Sequence, residues 1–335
     1  MNLSQPYLLF LGDAADHLAA KTARGIQYWR PNACVGQLSL PGCKTDLGLP
    51  EMTVEEAAAR GAATLVVGVA NRGGIIGESW RAVFRDALAA GLDIAAGLHN
   101  RLADIPELMD AAQEHGRVLH DVRHPKDTFP VAHGVPRPGK RVLAVGTDCS
   151  VGKMYAMLAM EHALKARGCK ADFRATGQTG ILIAGGGVSV DAVVADFISG
   201  ATEVLCPGND PDHYDLVEGQ GSLFHASYAG VSLGLLHGAQ PQYLVLCHEP
   251  GRPHMRGLPG YSLPDLEECM ALNLQCARLV CPDARFIGGC FNTSALDDDA
   301  ARRELHNASE RLGLPVVDPV RTGVEPLVDR LLADA

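Results

Sequence analysis

The chain has 335 residues, of which 47% are apolar and 20% charged, and its formal net charge is −10. This acidic balance argues against a nucleic-acid-binding protein, which needs a basic face, and no apolar run approaches the ~20 residues of a membrane span. At this length two domains are expected. The ten cysteines form no CxxC pair and the N-terminal stretch has no basic segment. We therefore expect free thiols, no signal peptide and a cytoplasmic protein.

The first half of the chain alternates apolar runs with amphipathic segments. The apolar runs predict strands over residues 7–11, 62–70, 92–98 and 117–122, and a helix is predicted over 79–90. Thr53, with Glu56 three residues later, is a capping-box pattern that predicts another helix start. Nearly continuous apolar strands separated by helices indicate a parallel sheet covered on both faces.

Ligands of such sheets bind at the carboxyl ends of the strands. The polar residues that follow the predicted strands are therefore candidates for the edge of a site: Asp13, Asn71, Arg72, His99 and Asn100. None of them belongs to a GxGxxG fingerprint, so a dinucleotide site is weakly supported here.

A segment rich in proline and glycine, from His124 to Lys140, predicts a linker. We place the linker at 131–140, between a domain at 1–130 and a domain at 141–335. In the second domain, strands are predicted over residues 142–145, 169–175, 214–217, 242–247, 285–291 and 314–317. Helices are predicted over 191–200, 226–237, 263–276 and 297–313, with a last helix behind them. The predicted fold class is α/β, with two domains that each contain a mostly parallel sheet flanked by helices.

A phosphate-binding loop is predicted at the start of the second domain. The strand enters the loop Gly146-Thr-Asp-Cys-Ser-Val-Gly-Lys153, and a helix follows. Backbone N–H groups of such a loop and the positive end of the helix attract phosphate, and Lys153 adds a point charge. The alternative is a purely structural turn between strand and helix, whose glycines only permit tight packing. The residues predicted to hold the cofactor are Gly146, Thr147, Cys149, Ser150, Val151, Gly152 and Lys153.

The loop departs from the standard P-loop pattern at two places. Five residues instead of four separate Gly146 from Gly152, and Met154 replaces the Ser or Thr whose hydroxyl binds Mg²⁺. These departures disfavour Mg²⁺-dependent hydrolysis of a nucleoside triphosphate. They suit a cofactor with a diphosphate group, such as coenzyme A, so no metal is expected.

Two resemblances sharpen this interpretation. The loop resembles the GTDT-x-VGKT loop of dethiobiotin synthetase, Glu218-Gly-Gln-Gly resembles the EGAG turn of that group, and Asn292 resembles its base-reading asparagine. A fuller match covers nearly the whole chain. The segments LFLGDAADHLAAKTARGIQYWRP, GLDIAAGLH, GTDCSVGKM, TGQTGI, VEGQGSLFHASYAGVSLGLLHGAQP and CFNTS resemble the DgcN family. That resemblance implies a Rossmann-like domain followed by a P-loop domain, and transfer of an acetyl group from acetyl-coenzyme A to D-glutamate or a related D-amino acid.

Acetyl transfer to an amine needs a base, and a substrate with carboxylates needs cationic partners. The strand-end loops offer Glu218, His225, His248 and Asp148 as bases, although His225 could equally pack or cap a helix. Arg72, Arg252 and Arg256 are the candidates for substrate carboxylates, with a plain surface role as the alternative for each. Asn292 is the candidate for the adenine ring.

Three alternatives stay open from the residues. Cys149 at a helix N-terminus could carry the acetyl group, since such positions lower a thiol pKa, but bound phosphate would oppose the thiolate and direct transfer is favoured. An ATP- and Mg²⁺-dependent ligase or kinase would need Asp191, Asp196 or Glu218 to hold the metal. A non-catalytic nucleotide-binding protein would use the same loop. The expected partner is a small amino acid, and the apolar helix faces predict a homo-oligomer.

Overall fold

The computed structural model describes residues 3–16, 19–69, 76–125 and 128–333. The chain divides into two compact units. The first consists of Met1–Asp127 with Gly177–Ala192, and the second of Thr128–Thr176 with Val193–Ala335. Both units are parallel sheets flanked by helices, which confirms the predicted α/β class.

The first unit contains a five-stranded sheet in the order β2-β1-β3-β4-β5, in which every pairing is parallel. Its strands are β1 (Tyr7–Gly12), β2 (Cys34–Ser39), β3 (Thr64–Val67), β4 (Asp93–Ala96) and β5 (Leu119–Asp121). Its first helices are α1 (Lys21–Trp29), α2 (Val54–Ala59), α3 (Glu78–Ala89) and α4 (Pro106–Glu114). The capping box of α2 is confirmed, because Thr53 accepts from the Glu56 amide while the Glu56 side chain bonds back to Thr53.

The remaining elements follow in chain order. The strands are β6 (Lys140–Gly146), β7 (Ala171–Arg174), β8 (Tyr214–Val217), β9 (Tyr243–His248), β10 (Arg285–Phe291) and β11 (Val316–Val317). The helices are α5 (Lys153–Ala166), α6 (Gln178–Ala184), α7 (Ile198–Leu205), α8 (Ala229–Ala239), α9 (Leu266–Arg278), α10 (Asp298–Leu312) and α11 (Glu325–Ala333). The six strands form one parallel sheet in the order β11-β10-β9-β6-β8-β7.

The division of the chain differs from the predicted boundaries in one segment. Residues 177–192, which include α6, pack in the first unit although they lie beyond the linker. The segment packs there through apolar side chains, since Ile181, Leu182 and Ile183 are buried. A Cβ on Gly25 of α1 would lie 3.3 Å from Cδ1 of Ile183, so the glycine lets the two helices approach closely.

One predicted element was wrong. The helix predicted over 191–200 is replaced by short 3₁₀ turns at Val190–Ala192 and Ala195–Phe197, and α7 begins only at Ile198. The edge strand β2 was not predicted, because Gly36 and Gln37 interrupt its apolar pattern, and the helices α1, α4 and α6 were not predicted either. Within the described part of the chain, no helix is long and apolar enough to cross a membrane.

Candidate phosphate-binding and active site

The predicted phosphate loop joins the central strand β6 to α5 at the carboxyl edge of the second sheet. Strands β8 and β9 flank β6, so the ends of three strands meet at this edge. Ser150 and Gly152 have left-handed backbones, with φ of 55° and 101°. Left-handed residues in a loop turn successive N–H groups toward one side, and the first amides of α5 have no intrahelical acceptor. The loop therefore presents backbone donors to an anion.

Lys153 is buried beneath the loop, with its ammonium turned toward the loop backbone. Its Nζ donates to the backbone oxygen of Asp148 at 2.7 Å, and burial lowers its pKa. Two glycines make room for this side chain. A Cβ on Gly219 would lie 2.9 Å from Cδ of Lys153 and 1.7 Å from the oxygen of Ala144, and a Cβ on Gly146 would lie 3.2 Å from Nζ.

Asp148 is the fully buried centre of a charged cluster. Its Oδ2 accepts from Nη1 of Arg252 at 2.6 Å and from the amide of Arg256 at 2.8 Å, and its Oδ1 accepts from the amide of Cys149 at 2.6 Å. Burial raises the pKa of the carboxyl, but the bonds from Arg252, Arg256 and Cys149 outweigh it and leave the pKa below its usual value. A carboxylate held in this way is a weak base.

Arg252 is engaged inside the protein and does not extend toward solvent. Besides Asp148, its guanidinium donates to the backbone oxygens of Cys149 at 2.7 Å and Ser150 at 3.1 Å, and to Oε2 of Glu249 at 2.5 Å. This side chain clamps the loop. These internal contacts leave less of the guanidinium for the predicted role in binding a substrate carboxylate, which stays a prediction.

Arg256 is exposed and contacts the loop at Ser150. Its Nη1 donates to Oγ of Ser150 at 2.5 Å. A guanidinium carries five N–H donors in a planar fork, and among the described residues this is the only acceptor found for the side chain of Arg256. Among the predicted arginines that the structure describes, Arg256 is the one whose geometry suits an incoming anion. Arg72 lies outside the described residues.

His225 is 1% exposed and both of its ring nitrogens are engaged. Nδ1 accepts from the amide of Ser227 at 3.1 Å, so the proton is assigned to Nε2, which donates to the backbone oxygen of Arg256 at 3.1 Å. The ring also packs on Tyr228, with centroids 4.6 Å apart. This is the packing role that the sequence left as the alternative.

His248, at the end of β9, contacts the loop through Thr147. Its Nδ1 shares a hydrogen bond with Oγ1 of Thr147 at 2.9 Å. Burial lowers its pKa to about 4, so the ring is neutral near pH 7. A neutral imidazole has one donor and one acceptor nitrogen and fixes the orientation of the Thr147 hydroxyl.

Glu218 directly follows β8 and is 5% exposed. Its Oε2 accepts from the amide of Thr176 at 2.8 Å, and its backbone oxygen accepts from the Thr176 hydroxyl at 2.6 Å. The next residue is Gly219, which packs on the stem of Lys153. The structure thus holds this carboxylate in a fixed orientation next to the phosphate loop.

Asn292 follows β10 and lies beside the loop, where a Cβ on Gly152 would be 3.8 Å from Cβ of Asn292. Its Nδ2 is 3.5 Å from Oε2 of Glu249, and its Oδ1 accepts from the amide of Ser294 at 3.2 Å. Glu249 thereby links Asn292 to Arg252. Reasoning from the sequence did not identify Glu249, although it stands in the charged segment directly after β9.

Two chemical alternatives are disfavoured by the geometry. Burial raises the pKa of the Cys149 thiol, against the opposing influence of Lys153, so the expected lowering by the helix terminus is not found. Asp148, Cys149 and His225 place ligand atoms within 4.8 Å of one another. Because the Asp148 and His225 atoms already serve internal hydrogen bonds, this cluster fits a metal ion poorly.

The carboxylates considered for a metal have other positions. Asp191 belongs to the first unit, where its Oδ2 accepts from Nη2 of Arg123 at 2.7 Å. Asp196 is exposed in a 3₁₀ turn.

Three of the residues predicted at the edge of a site in the first unit are described by the structure. Asp13 accepts from Nε1 of Trp80 at 3.0 Å, and His99 lines a cavity of the first unit. Asn100 is exposed, and Asn71 lies outside the described residues.

Comparison with known proteins identifies relatives over the full length of the chain. A protein of Tritonibacter scottomollicae named D-glutamate N-acetyltransferase is 58% identical over 331 residues, covering 99% of both chains. A protein of a Pseudoalteromonas species with the same name is 47% identical, covering 99% of this chain and all of the relative. A crystal structure of a DUF1611 family protein from Anabaena variabilis has a TM-score of 0.86 and 32% identity, and the match covers 98% of this chain and all of that one.

Two family models match the chain. Residues 38–125 match a domain of unknown function described as the Rossmann-like domain DUF1611_N, and residues 130–328 match the P-loop domain DUF1611_C. These matches correspond to the two kinds of domain that the sequence predicted. The chain belongs to the DUF1611 family.

Proposed function

We propose that this protein is a D-glutamate N-acetyltransferase that uses acetyl-coenzyme A. The observation that carries the proposal is a phosphate loop with a buried lysine and no metal-binding hydroxyl, in a chain 58% identical to a protein named for this activity. Such a loop binds a diphosphate without hydrolysing it. Acetyl-coenzyme A would supply the activated acetyl group, while the residues of the chain orient the reactants and manage the proton.

The loop from Gly146 to Lys153 is the proposed binding site of the cofactor phosphates. Backbone amides supply most of the contacts, so the shape of the loop matters more than its side chains. The clamp formed by Asp148, Arg252 and Glu249 holds that shape. Asn292, at the rim beside Gly152, is the proposed contact for the adenine ring.

Glu218 is the proposed base that removes a proton from the substrate amine. Among the four candidates, Asp148 is held by Arg252 and both nitrogens of His225 are engaged. His248 is bonded to Thr147. The carboxylate of Glu218, which accepts from the amide of Thr176, has a fixed position directly after a strand and beside the loop lysine, and a buried carboxylate can accept a proton from an ammonium group that it faces.

Arg256 is the proposed cation for a substrate carboxylate or for the cofactor. It is exposed at the loop and anchored through one nitrogen. A small amino acid as the partner, a homo-oligomeric state and a cytoplasmic location stay predictions of the sequence.

A thiol-release assay tests the proposal. The purified protein is incubated with acetyl-coenzyme A, D- or L-glutamate and a thiol reagent, with and without a chelator. Thiol release that requires D-glutamate and is insensitive to chelator is the expected result. Mg²⁺-dependent consumption of ATP would replace the proposal with a ligase or kinase. Binding without release of thiol or phosphate would indicate a non-catalytic protein.

The substitution Lys153→Ala tests the proposed cofactor-binding site independently of the reaction. Loss of a charge-assisted contact with phosphate should raise the KM for acetyl-coenzyme A about tenfold to a hundredfold. Lys170→Ala is the matched control, because Lys170 is exposed and pairs only with surface carboxylates. Equal KM values for the two variants would refute the assignment of the phosphate loop.

A further inference from the structure

The first unit contains a cavity of about 180 Å³ at the carboxyl edge of its sheet. The ends of β3 and β4, the first turn of α1 and the start of α6 surround it. The residues that line it are Lys21, Thr22, Val67, Val69, Gly97, Leu98, His99, Arg123, Gln178, Thr179 and Leu182. Carboxyl ends of parallel strands are the usual position of ligands in such folds.

Three separate segments of the sequence converge on this cavity. Lys21 and Thr22 belong to LFLGDAADHLAAKTARGIQYWRP, Gly97 to GLDIAAGLH, and Gln178 and Thr179 to TGQTGI. None of these segments contributes to the phosphate loop. The packing of α6 in the first unit is what brings the third segment to the cavity, since a Cβ on Gly97 would lie 2.8 Å from Cβ of Gln178.

The charge of the lining favours an anion. Lys21 and Arg123 line the cavity, and none of the described residues that line it is acidic, in a chain whose net charge is −10. Asp191, which Ser189 holds by a 2.7 Å bond, anchors Arg123 through Nη2 alone. Within the described residues no acceptor is found for the other N–H groups of this guanidinium, and a guanidinium matches the planar geometry of a carboxylate.

The volume of the cavity and its uncharged lining residues restrict the class of ligand further. Pockets for drug-sized ligands measure ~300–1,000 Å³, so a cavity of about 180 Å³ suits a smaller molecule. Val67, Val69, Leu98 and Leu182 offer an apolar wall for methylene groups. The hydroxyls of Thr22 and Thr179, 3.4 Å apart, together with the Gln178 amide, offer neutral hydrogen bonds.

We propose that this cavity binds a small carboxylate of the acidic amino acid class. The choice of amino acid rests on the proposed function, whereas the preference for a small carboxylate rests on the cavity itself. The bound molecule could be the substrate or an effector of the same chemistry, and the kinetic arm of the test separates the two.

Isothermal titration calorimetry with D-glutamate, glutarate and N-acetyl-D-glutamate tests the proposal on the full-length protein. Lys21→Gln and Arg123→Gln should each weaken binding about tenfold or more, the loss expected for a charge-assisted contact. The double variant Arg123→Gln/Asp191→Asn removes the ion pair without leaving a lone charge. Arg24→Gln is the matched control, because Arg24 is exposed on the same helix and does not line the cavity.

Weaker binding in the cavity variants together with unchanged binding in Arg24→Gln supports the site. A raised KM for D-glutamate with an unchanged KM for acetyl-coenzyme A then identifies a substrate site, and an unchanged KM identifies an effector site. Equal affinities in all variants, or no binding of any of the three carboxylates, would overturn it. If the protein binds D-glutamate through the cavity but transfers no acetyl group, the proposed function fails and the cavity site stands.

Discussion

Replacing Arg252 with glutamine should destabilise the second unit, because it leaves the Asp148 carboxylate buried without its cationic partner. Within the part of the chain that the structure describes, the remaining hydrogen-bond donors to that carboxylate are the amides of Arg256 and Cys149. Removing one partner of a buried ion pair costs ~3–5 kcal/mol. The Arg252 side chain is 12% exposed, so water can enter the vacated side, and we expect the lower end of this range, about 3 kcal/mol.

The effect should depend on pH, and its sign follows from Asp148. In the native protein the pKa of this carboxyl is lowered, so its contribution to stability is present above the unfolded pKa of ~3.9 and is lost as pH falls through the folded pKa. Without Arg252, burial should dominate and raise the folded pKa. Stability of the variant then falls as pH rises from the unfolded pKa toward that raised folded pKa, because the unfolded chain loses its proton first. The destabilisation is therefore expected to be larger at pH 7 than at pH 4.5.

Hydrogen exchange of peptides within residues 141–166 measures this effect in the second unit. Tryptophan fluorescence cannot replace it, because Trp29 and Trp80 both lie in the first unit. Arg302→Gln is the control, since Arg302 and its partner Asp299 are exposed by 69% and 75% and their loss should leave exchange unchanged. A destabilisation below ~1 kcal/mol, or one equal at both pH values, would refute the clamp.

Three further predictions concern the same loop. Burial lowers the pKa of Lys153, and a bound phosphate should raise it. Cofactor binding should therefore take up a proton, and the affinity should weaken as pH rises through the pKa that Lys153 has in the free protein. Calorimetry in buffers of different ionisation enthalpy measures the number of protons taken up, and zero proton uptake contradicts the prediction. Met154→Thr should leave acetyl transfer insensitive to chelator, and a gain of ATP hydrolysis would show that the missing hydroxyl alone had prevented it. Gly219→Ala should cost more than ~3 kcal/mol in chemical denaturation, because the Cβ would lie 1.7 Å from the Ala144 oxygen, whereas Gly230→Ala, with open space around it, should be neutral or stabilising.

The parts of the fold that the sequence predicted are those with a local signal. Apolar runs such as Tyr214–Val217 and Arg285–Phe291 are buried strands with the predicted bounds, because parallel strands covered on both faces require that composition. The phosphate loop was predictable for the same reason, since its glycines and Lys153 follow one another in the chain. In the Rossmann-like unit the prediction covered four of the five strands and the helices α2 and α3, whereas β2, whose pattern contains polar residues, and the helices α1, α4 and α6 were missed.

The parts that escaped prediction depend on partners far away in the sequence. Arg252 and Asp148 are 104 positions apart, and no local pattern tells a clamping arginine from one that binds substrate. The segment from Gly177 to Ala192 looks like an ordinary continuation of the P-loop domain. Its apolar residues Ile181 and Ile183 show that it needs a packing partner, but they do not show which unit provides that partner.

The clamp changes the interpretation of the loop that the sequence placed at the centre of the site. When only the residue types are known, Asp148 and Arg252 beside a predicted phosphate-binding loop suggest a catalytic base and a residue that binds the substrate. In the folded protein the two charges pair with each other, Arg252 also pairs with Glu249, and these contacts fix the backbone of the loop that we propose binds phosphate. Because the loop is ordered when the unit folds, cofactor binding need not overcome the entropy of ordering it. The chemical work is then left to groups outside the clamp, which favours Glu218 for the proton and Arg256 for the incoming negative charge.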